Sequence, residues 1–184
     1  MVDKTDRIRP KKTGVSIPFS LLLSTLLLTS FQVQATVQKK LSLSELTGKS
    51  ALVAVGRIVD LQYLTVNSRP WTIVTVMVET SVKGKGEKSV QLRVPGGMQN
   101  LNGRTLVTKV DGTPDLSRMQ RGVFFLNGKA PAYFDLVGWN QGFWKVETQD
   151  GRDVAVASSQ ETDPAVSVPL DRFLNDVRVA AREK

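Results

Sequence analysis

The fold is decided by one alternating stretch, Trp71-Thr-Ile-Val-Thr-Val-Met-Val-Glu-Thr-Ser-Val82. Successive side chains of a β-strand point to opposite faces, so this pattern separates into two sets. One set is Thr72, Val74, Val76, Val78, Thr80 and Val82, and the other is Trp71, Ile73, Thr75, Met77 and Glu79. Because β-branched residues pack well on a pleated surface, we expect the valine-rich set to line the core.

Similar strands are predicted before and after this stretch. Residues 51–63 are apolar and branched, which predicts a long strand with a bulge or bend at Gly56. A loop is expected from Thr65 to Pro70. Further strands are predicted at 89–94, 105–110, 122–126, 133–137, 143–148 and 154–156. Strands about ten residues apart, with turn residues between them, predict a mainly β fold, either a small antiparallel β-barrel or a sandwich.

Two helices are predicted at the ends of this β-domain. Ser42 and Glu45 have the spacing of a capping box, which predicts a short helix ending at Gly48. Near the C-terminus, an apolar stripe at helical spacing predicts an amphipathic helix that docks on the domain. Its members are Phe173, Leu174, Val177 and Ala181. The predicted organisation is a signal peptide at 1–35, a β-barrel domain at 36–157, a linker at 158–169 and a C-terminal helix at 170–184.

The first 35 residues have the order of a secretory signal peptide. A basic front precedes an uncharged apolar run at 17–31, and Val33-Gln34-Ala35 supplies the residues that signal peptidase reads. The run has about 15 residues where a membrane-spanning helix needs about 20, which favours cleavage after Ala35 over an uncleaved anchor. We therefore predict a periplasmic or secreted protein that begins near Thr36 and keeps no stable membrane anchor.

Removal of the predicted leader would lower the net charge of the protein. The whole chain of 184 residues carries a formal net charge of +8. Removing the leader leaves a net charge of about +5, because the leader holds five basic and two acidic residues. This modest charge argues against a nucleic-acid partner.

The chain contains no cysteine and no histidine. These absences exclude disulfides, thiolate metal sites and cysteine proteases, as well as Ser-His-Asp triads and HExxH metalloproteases. The remaining candidates for catalysis are carboxylates, Lys and Tyr, and no strong motif for any of them is present. We expect no cofactor and no metal.

The order of elements resembles an uncharacterised family of secreted bacterial β-domains. The resemblance covers residues 41–148. It rests on five segments, Leu41–Leu46, Leu52–Arg57, Thr75–Gly84, Val90–Gly97 and Val137–Gly142. It implies a small OB-like β-barrel, and relatives are sometimes seen alongside secreted metallopeptidases. No catalytic residues are carried over from the family. The chain departs from the family in its shorter strand after Arg121 and its added C-terminal helix.

The most distinctive candidate site is Gly138-Trp139-Asn140-Gln141-Gly142. Trp139 could stack on a ligand while Asn140 and Gln141 form hydrogen bonds with it. A tight connection between strands, with Trp139 filling the end of the barrel, is the alternative interpretation. Trp144 and Arg93 complete the predicted ligand-binding set, because aromatic and cationic side chains dominate recognition surfaces.

These observations predict a non-enzymatic binding module. Its expected partner is a protein, such as a secreted peptidase, or an envelope glycan. The alternative is a carboxylate-dependent hydrolase acting on an envelope glycan, which requires two acidic residues converging in a cleft. A purely structural envelope component is a third possibility, marked by an exposed apolar patch or a free sheet edge.

Overall fold

The fold is organised around a long hairpin formed by β1 (Leu52–Val66) and β2 (Arg69–Lys83). The computed structural model describes residues 39–129, 132–158 and 166–183, so the predicted signal peptide lies outside the described residues. The other elements are α1 (Leu43–Lys49), β3 (Ser89–Pro95), β4 (Gly97–Leu101), β5 (Arg104–Thr108), β6 (Arg121–Asn127), β7 (Asp135–Leu136), β8 (Phe143–Gln149), β9 (Arg152–Ala157), β10 (Ser167–Pro169) and α2 (Leu170–Arg182). The prediction of a mainly β, antiparallel fold with two helices is confirmed.

The main sheet has the strand order β10-β9-β8-β6-β1-β2-β3, and β7 also pairs with β6. In the described part of the chain, β3 meets the segment before β7 through one parallel bridge between Leu92 and Phe134. The sheets are therefore not closed into a barrel, which was one of the two predicted architectures.

The central strands β1 and β6 are buried on both faces. Alternate residues of the two strands enter two separate cores. The first core contains Leu52, Ala54, Val74, Val76, Val90, Leu92, Val94, Phe124 and Leu126, among others. It includes the central valines of β2 that were predicted to face inward. The second core contains Val53, Val55, Val123, Phe125, Val146, Phe173 and Val177, among others, and is covered by the two helices with β8 and β9.

The turn of the long hairpin is shorter than predicted. The expected loop from Thr65 to Pro70 is replaced by a two-residue turn, Asn67-Ser68, with positive φ angles of 50° and 61°. Two left-handed residues match the right-handed twist of the flanking strands, so pairing continues up to Val66 and Arg69. The predicted bulge at Gly56 is confirmed by a register shift between Val55 and Gly56.

Three short strands differ from the predictions. Strand β4 lies between the predicted strands 89–94 and 105–110, where no strand was predicted, and forms a separate two-stranded sheet with β5. Strand β10 lies within the predicted linker and pairs with β9. Strand β7 is limited to two residues of the predicted strand 133–137. Such short segments have little local signal, because their structure depends on the partner strand beside them.

Helix α1 begins with the predicted capping box. The Glu45 N–H donates to Ser42 Oγ at 3.1 Å, and the Ser42 N–H donates to Glu45 Oε2 at 2.8 Å. The helix continues past Gly48 to Lys49. Its last carbonyl groups are held by Lys83, whose Nζ donates to Thr47 O at 2.6 Å and to Ser50 O at 2.7 Å. These bonds attach α1 to the end of β2.

Helix α2 docks through the predicted apolar stripe. Phe173 and Val177 are buried in the second core, and Leu174 packs against it. The ring of Phe173 lies 4.5 Å from that of Trp144, measured between centroids. Neither helix of the described ranges is long and apolar enough to cross a membrane.

The capping box makes stability depend on pH. The Ser42 N–H and the ammonium of Lys39 lower the pKa of Glu45 from 4.5 to about 2. Because the pKa is lower in the folded state, the stabilising contribution is fully present above pH 4.5 and is lost as pH falls towards 2. We predict that Glu45→Ala melts a few degrees below wild type at pH 7, and that the difference shrinks steadily below pH 4.5, as measured by circular dichroism.

Glu87→Ala is the control for this measurement, since Glu87 is exposed and forms no ion pair within the described residues. The melting temperature of Glu87→Ala should equal that of wild type at every pH. A Glu45→Ala difference that persists undiminished at pH 2.5 would contradict this assignment.

Candidate binding cleft

A cleft of about 450 Å³ lies on the face of the β1–β2 hairpin and β3 that points away from the first core. Its size falls in the range of sites that hold small molecules or a few units of a polymer. Its lining residues are Leu64, Val66, Asn67, Arg69, Trp71, Ile73, Arg93 and Tyr133.

The strand register explains why these side chains converge. Leu64 pairs with Trp71, Val66 pairs with Arg69, and Ile73 pairs with Arg93. Paired residues of antiparallel strands project from the same face, and residues two apart along a strand do so as well. On β2, the side chains of this face belong to the set that contains Trp71 and Ile73. The valine-rich set points the other way, into the first core.

The floor of the cleft is apolar. Ile73 is only 4% exposed although it lies on the outer face of the hairpin. Trp71 is half-buried, and Leu64 and Val66 are exposed. The cleft thus offers an apolar and aromatic surface that is already held by paired strands.

Arg93 is fixed between an aromatic ring and a carboxylate. Its Nε donates to Asp135 Oδ1 at 2.8 Å, and its Nη2 donates to Asp135 Oδ2 at 3.2 Å. Its guanidinium carbon lies 5.6 Å from the ring centroid of Trp71, within the distance of a cation–π contact. The hydrogen bonds and charge of Asp135 raise the pKa of Arg93 above its ordinary value.

Tyr133 is brought to the cleft by the residue that follows it. The Phe134 N–H donates to Gln91 O at 2.9 Å, and the Arg93 N–H donates to Phe134 O at 2.9 Å. These two backbone bonds hold the segment before β7 against β3. Tyr133 remains 40% exposed, so its ring and hydroxyl are accessible at the rim.

The five residues predicted from sequence occupy three different environments. Arg93 lines the cleft. Trp139, Asn140 and Gln141 belong to a short 3-10 turn, Trp139–Gly142, between β7 and β8. Trp144 is half-buried against Phe173 of α2. None of the last four lines the cleft.

The 3-10 turn holds the start of the described chain. Gln141 Oε1 accepts a hydrogen bond from the Leu41 N–H at 2.7 Å, and Gln141 Nε2 donates to Lys39 O at 3.1 Å. The Asn140 N–H donates to Gly112 O at 2.9 Å. The side chain of Gln141 is therefore committed to the N-terminal segment rather than available to a ligand.

Trp139 itself is in an unusual position. Gly138 and Trp139 are consecutive left-handed residues, with φ angles of 65° and 58°. Left-handed backbone is expected at Gly138 but is strained at a residue with a large side chain. The indole is 45% exposed, so it does not fill an end of the first core. Asn140 Oδ1 is buried with no hydrogen-bond partner among the described residues.

The ligand-binding set predicted from the sequence did not include Arg69, Trp71 or Tyr133, which line the cleft. The available signal was the second face of the alternating stretch, together with the hairpin register. The register could not be predicted as long as residues 65–70 were expected to form a loop. In the structure, Leu64 pairs with Trp71 and Val66 pairs with Arg69 across a two-residue turn.

A second, polar groove of about 1060 Å³ lies beside the β8–β9 turn and the start of α2. Three carboxylates line it, those of Asp150, Asp153 and Asp171. Asp153 Oδ2 accepts from Arg121 Nη1 at 2.5 Å, and its Oδ1 accepts from Thr148 Oγ1 at 3.0 Å. These bonds lower the pKa of Asp153. The carboxyl is held in its ionised form, which is the opposite of what a general acid requires.

Comparisons with known proteins leave the chain without an assigned family: no family model matches it, and no curated protein matches it. Over the residues that the structure describes, no group of three or more acidic side chains is arranged to hold a metal ion.

Two substitutions test the role of the 3-10 turn. Gln141→Ala removes two hydrogen bonds and should lower the free energy of unfolding by about 1–2 kcal/mol. Trp139→Asn should leave stability unchanged or slightly higher, because Asn tolerates the left-handed backbone better. Thermal unfolding of both variants checks this order. A larger loss in Trp139→Asn than in Gln141→Ala would show that the indole is needed for folding.

Proposed function

We propose that this protein is an exported, non-enzymatic binding module that holds an envelope glycan in the cleft of the β1–β2 hairpin and β3. The observation that carries the proposal is the combination of Trp71, Tyr133 and two arginines around an apolar floor. Aromatic rings stack on the apolar faces of sugar rings, while guanidinium and hydroxyl groups form directional hydrogen bonds.

The cleft is suited to a binding role because little has to be ordered when a ligand enters. Most of its side chains lie on paired strands, and Arg93 is already oriented by Asp135. Side chains that are ordered before binding lose less conformational entropy, which favours affinity. Among the described residues the lining contains no carboxylate, so the pair of carboxyl groups that a glycosidase uses is missing there.

The strand connections support an OB-like interpretation of the fold. β6 pairs with β1 and β7, and Phe134 beside β7 bridges to β3 in parallel orientation. In OB-folds, oligosaccharides and oligonucleotides bind on the face of the second and third strands, near the loop joining the first two strands and the loop joining the last two. On this interpretation, the cleft between the Asn67-Ser68 turn and Tyr133 corresponds to that binding face.

A protein partner, such as a secreted peptidase, is the second candidate. The observation that favours it is the β4–β5 hairpin, whose large apolar residues are exposed. They are Met98, Leu101, Leu106 and Val107, the last of which is 73% exposed. Exposed apolar patches are frequent at protein interfaces. The hairpin packs beside Tyr63 and Thr72, on the opposite face of the β1–β2 hairpin from the cleft.

The hydrolase alternative rests on the second groove, which has the carboxylates that the cleft lacks. Hydrolysis of a glycosidic bond needs one carboxyl that stays protonated near neutral pH. The ion pair of Asp153 with Arg121 works against this, and we give the binding role precedence for that reason.

Glycan binding is tested by titration with peptidoglycan-derived tetrasaccharides. Wild type should bind, and Trp71→Ala should weaken binding about tenfold or more because it removes the stacking surface. Tyr133→Ala provides a second variant at an exposed position, in case Trp71→Ala perturbs folding. Tryptophan fluorescence and isothermal titration calorimetry both report the change.

Trp139→Asn is the matched control, since it also removes one indole, but from an exposed position outside the cleft. It should bind as wild type does. Loss of binding in Trp139→Asn, with binding kept in Trp71→Ala, would move the site to the 3-10 turn. Recovery of one stoichiometric peptidase from an envelope extract, with no glycan bound, would favour the second candidate.

Export is tested separately by expressing the full chain in a bacterial host. Mass spectrometry of the protein from the envelope and medium fractions should give a chain that begins at Thr36. Ala35→Asp places a charge at the predicted cleavage site and should leave the leader attached. Wild-type protein retaining Met1 in the cytoplasmic fraction would contradict export.

A further inference from the structure

The charges around the cleft are not balanced. Of the described residues that line it, Arg69 and Arg93 are the only ionised ones, and none is acidic. Arg93 is paired with Asp135. Arg69 forms no ion pair within the described ranges, so the cleft carries about one uncompensated positive charge.

The surroundings of Arg69 increase the electric field that its charge produces in the cleft. Arg69 follows the Asn67-Ser68 turn and pairs with Val66, so its neighbours on this face are apolar or aromatic. An exposed arginine on a convex surface is surrounded by water on all sides. A cation at the edge of a concave, apolar surface is less well screened, because low-dielectric walls focus its field into the cleft.

The second arginine has donors to spare. Asp135 engages Nε and Nη2 of Arg93, which leaves Nη1 outside the ion pair. Asn67 and Tyr133 add an amide and a hydroxyl at the same cleft. Guanidinium groups bind planar oxyanions through two parallel hydrogen bonds, so this donor set fits a carboxylate group.

We infer that the ligand is an acidic saccharide whose carboxylate pairs with Arg69 while its ring stacks in the aromatic part of the cleft. The inference rests on the proposed glycan-binding function and specifies the chemistry of the ligand. A sugar phosphate or sulfate shares the anionic chemistry and is separated from a carboxylate by the experiment. An acidic peptide is a different class of ligand and serves as a contrary outcome.

The test uses matched probes that differ only in charge. Tri-galacturonate is compared with its carboxyl-reduced form, tri-galactose, and with a sulfated tri-galactose, by calorimetric titration of the full-length mature protein. Wild type should bind tri-galacturonate at least tenfold more tightly than tri-galactose. The preference should fall as the salt concentration rises from 50 to 500 mM, because an ion pair at a cleft rim is screened.

Variants of Arg69 assign the preference to one residue. Arg69→Gln should remove the preference, so that the ratio of the two affinities, tri-galacturonate over tri-galactose, falls from tenfold or more to about one. Arg69→Lys should restore part of the preference, because the charge is kept and the planar fork is lost. Arg152→Gln is the control, since Arg152 is exposed and lines the second groove instead.

Each outcome separates this inference from the proposed function. Equal, Trp71-dependent binding of all three saccharides would keep the glycan function and overturn the acidic ligand. A preference that persists in Arg69→Gln would overturn the role of Arg69, and tighter binding of the sulfated probe would replace the carboxylate by a sulfate or phosphate. Binding of an oligoglutamate peptide, with none of the saccharides, would overturn both proposals.

Discussion

The rest of the structure depends on the pairing of β1 with β6, the two strands that are buried on both faces. Their register runs from Leu52–Leu126 to Arg57–Arg121 and places alternate residues in two separate cores. Two adjacent phenylalanines of β6 enter opposite cores, Phe124 the first and Phe125 the second. A slip of one residue would exchange the side chains of the two cores, and close packing would not accept the change in volume. This pairing therefore determines which side chains each core receives, and the strands and helices that cover the two cores pack against those side chains.

The cleft is a consequence of the length of β1. Residues from Leu52 to Ile58 are almost all buried, whereas those from Val59 onward are half-buried or exposed. The same strand thus serves the cores with its first half and extends beyond them with its second half. Because the second half is still paired with β2, its outer face is rigid without being part of a core. Aromatic and cationic side chains can occupy this face without the cost of burying charge, and the paired strands hold them in position.

Local features were predictable because their causes lie within a few residues. The capping box needs only Ser42 and Glu45, the alternating stretch needs only its own period, and the bulge needs Gly56, where an added Cβ would lie 2.6 Å from Val76 Cγ1. The short strands β4 and β10 were not predictable, since each is extended because of a neighbour that the local sequence does not reveal. The Asn67-Ser68 turn also escaped prediction, because non-glycine residues rarely adopt two successive left-handed conformations.

The sequence by itself determined the mainly β architecture, the inward face of β2, both helices and the absence of thiol and imidazole chemistry. Of the candidate site, it supplied Arg93 and the general expectation of aromatic and cationic side chains. The tertiary structure decided which of them meet. Arg93 and Asp135 are 42 residues apart in the chain, and Tyr133 reaches the cleft only through the bridge between Leu92 and Phe134. The physical reason is that a period of two tells which residues share a face of a strand, whereas the register between distant strands determines which faces come together.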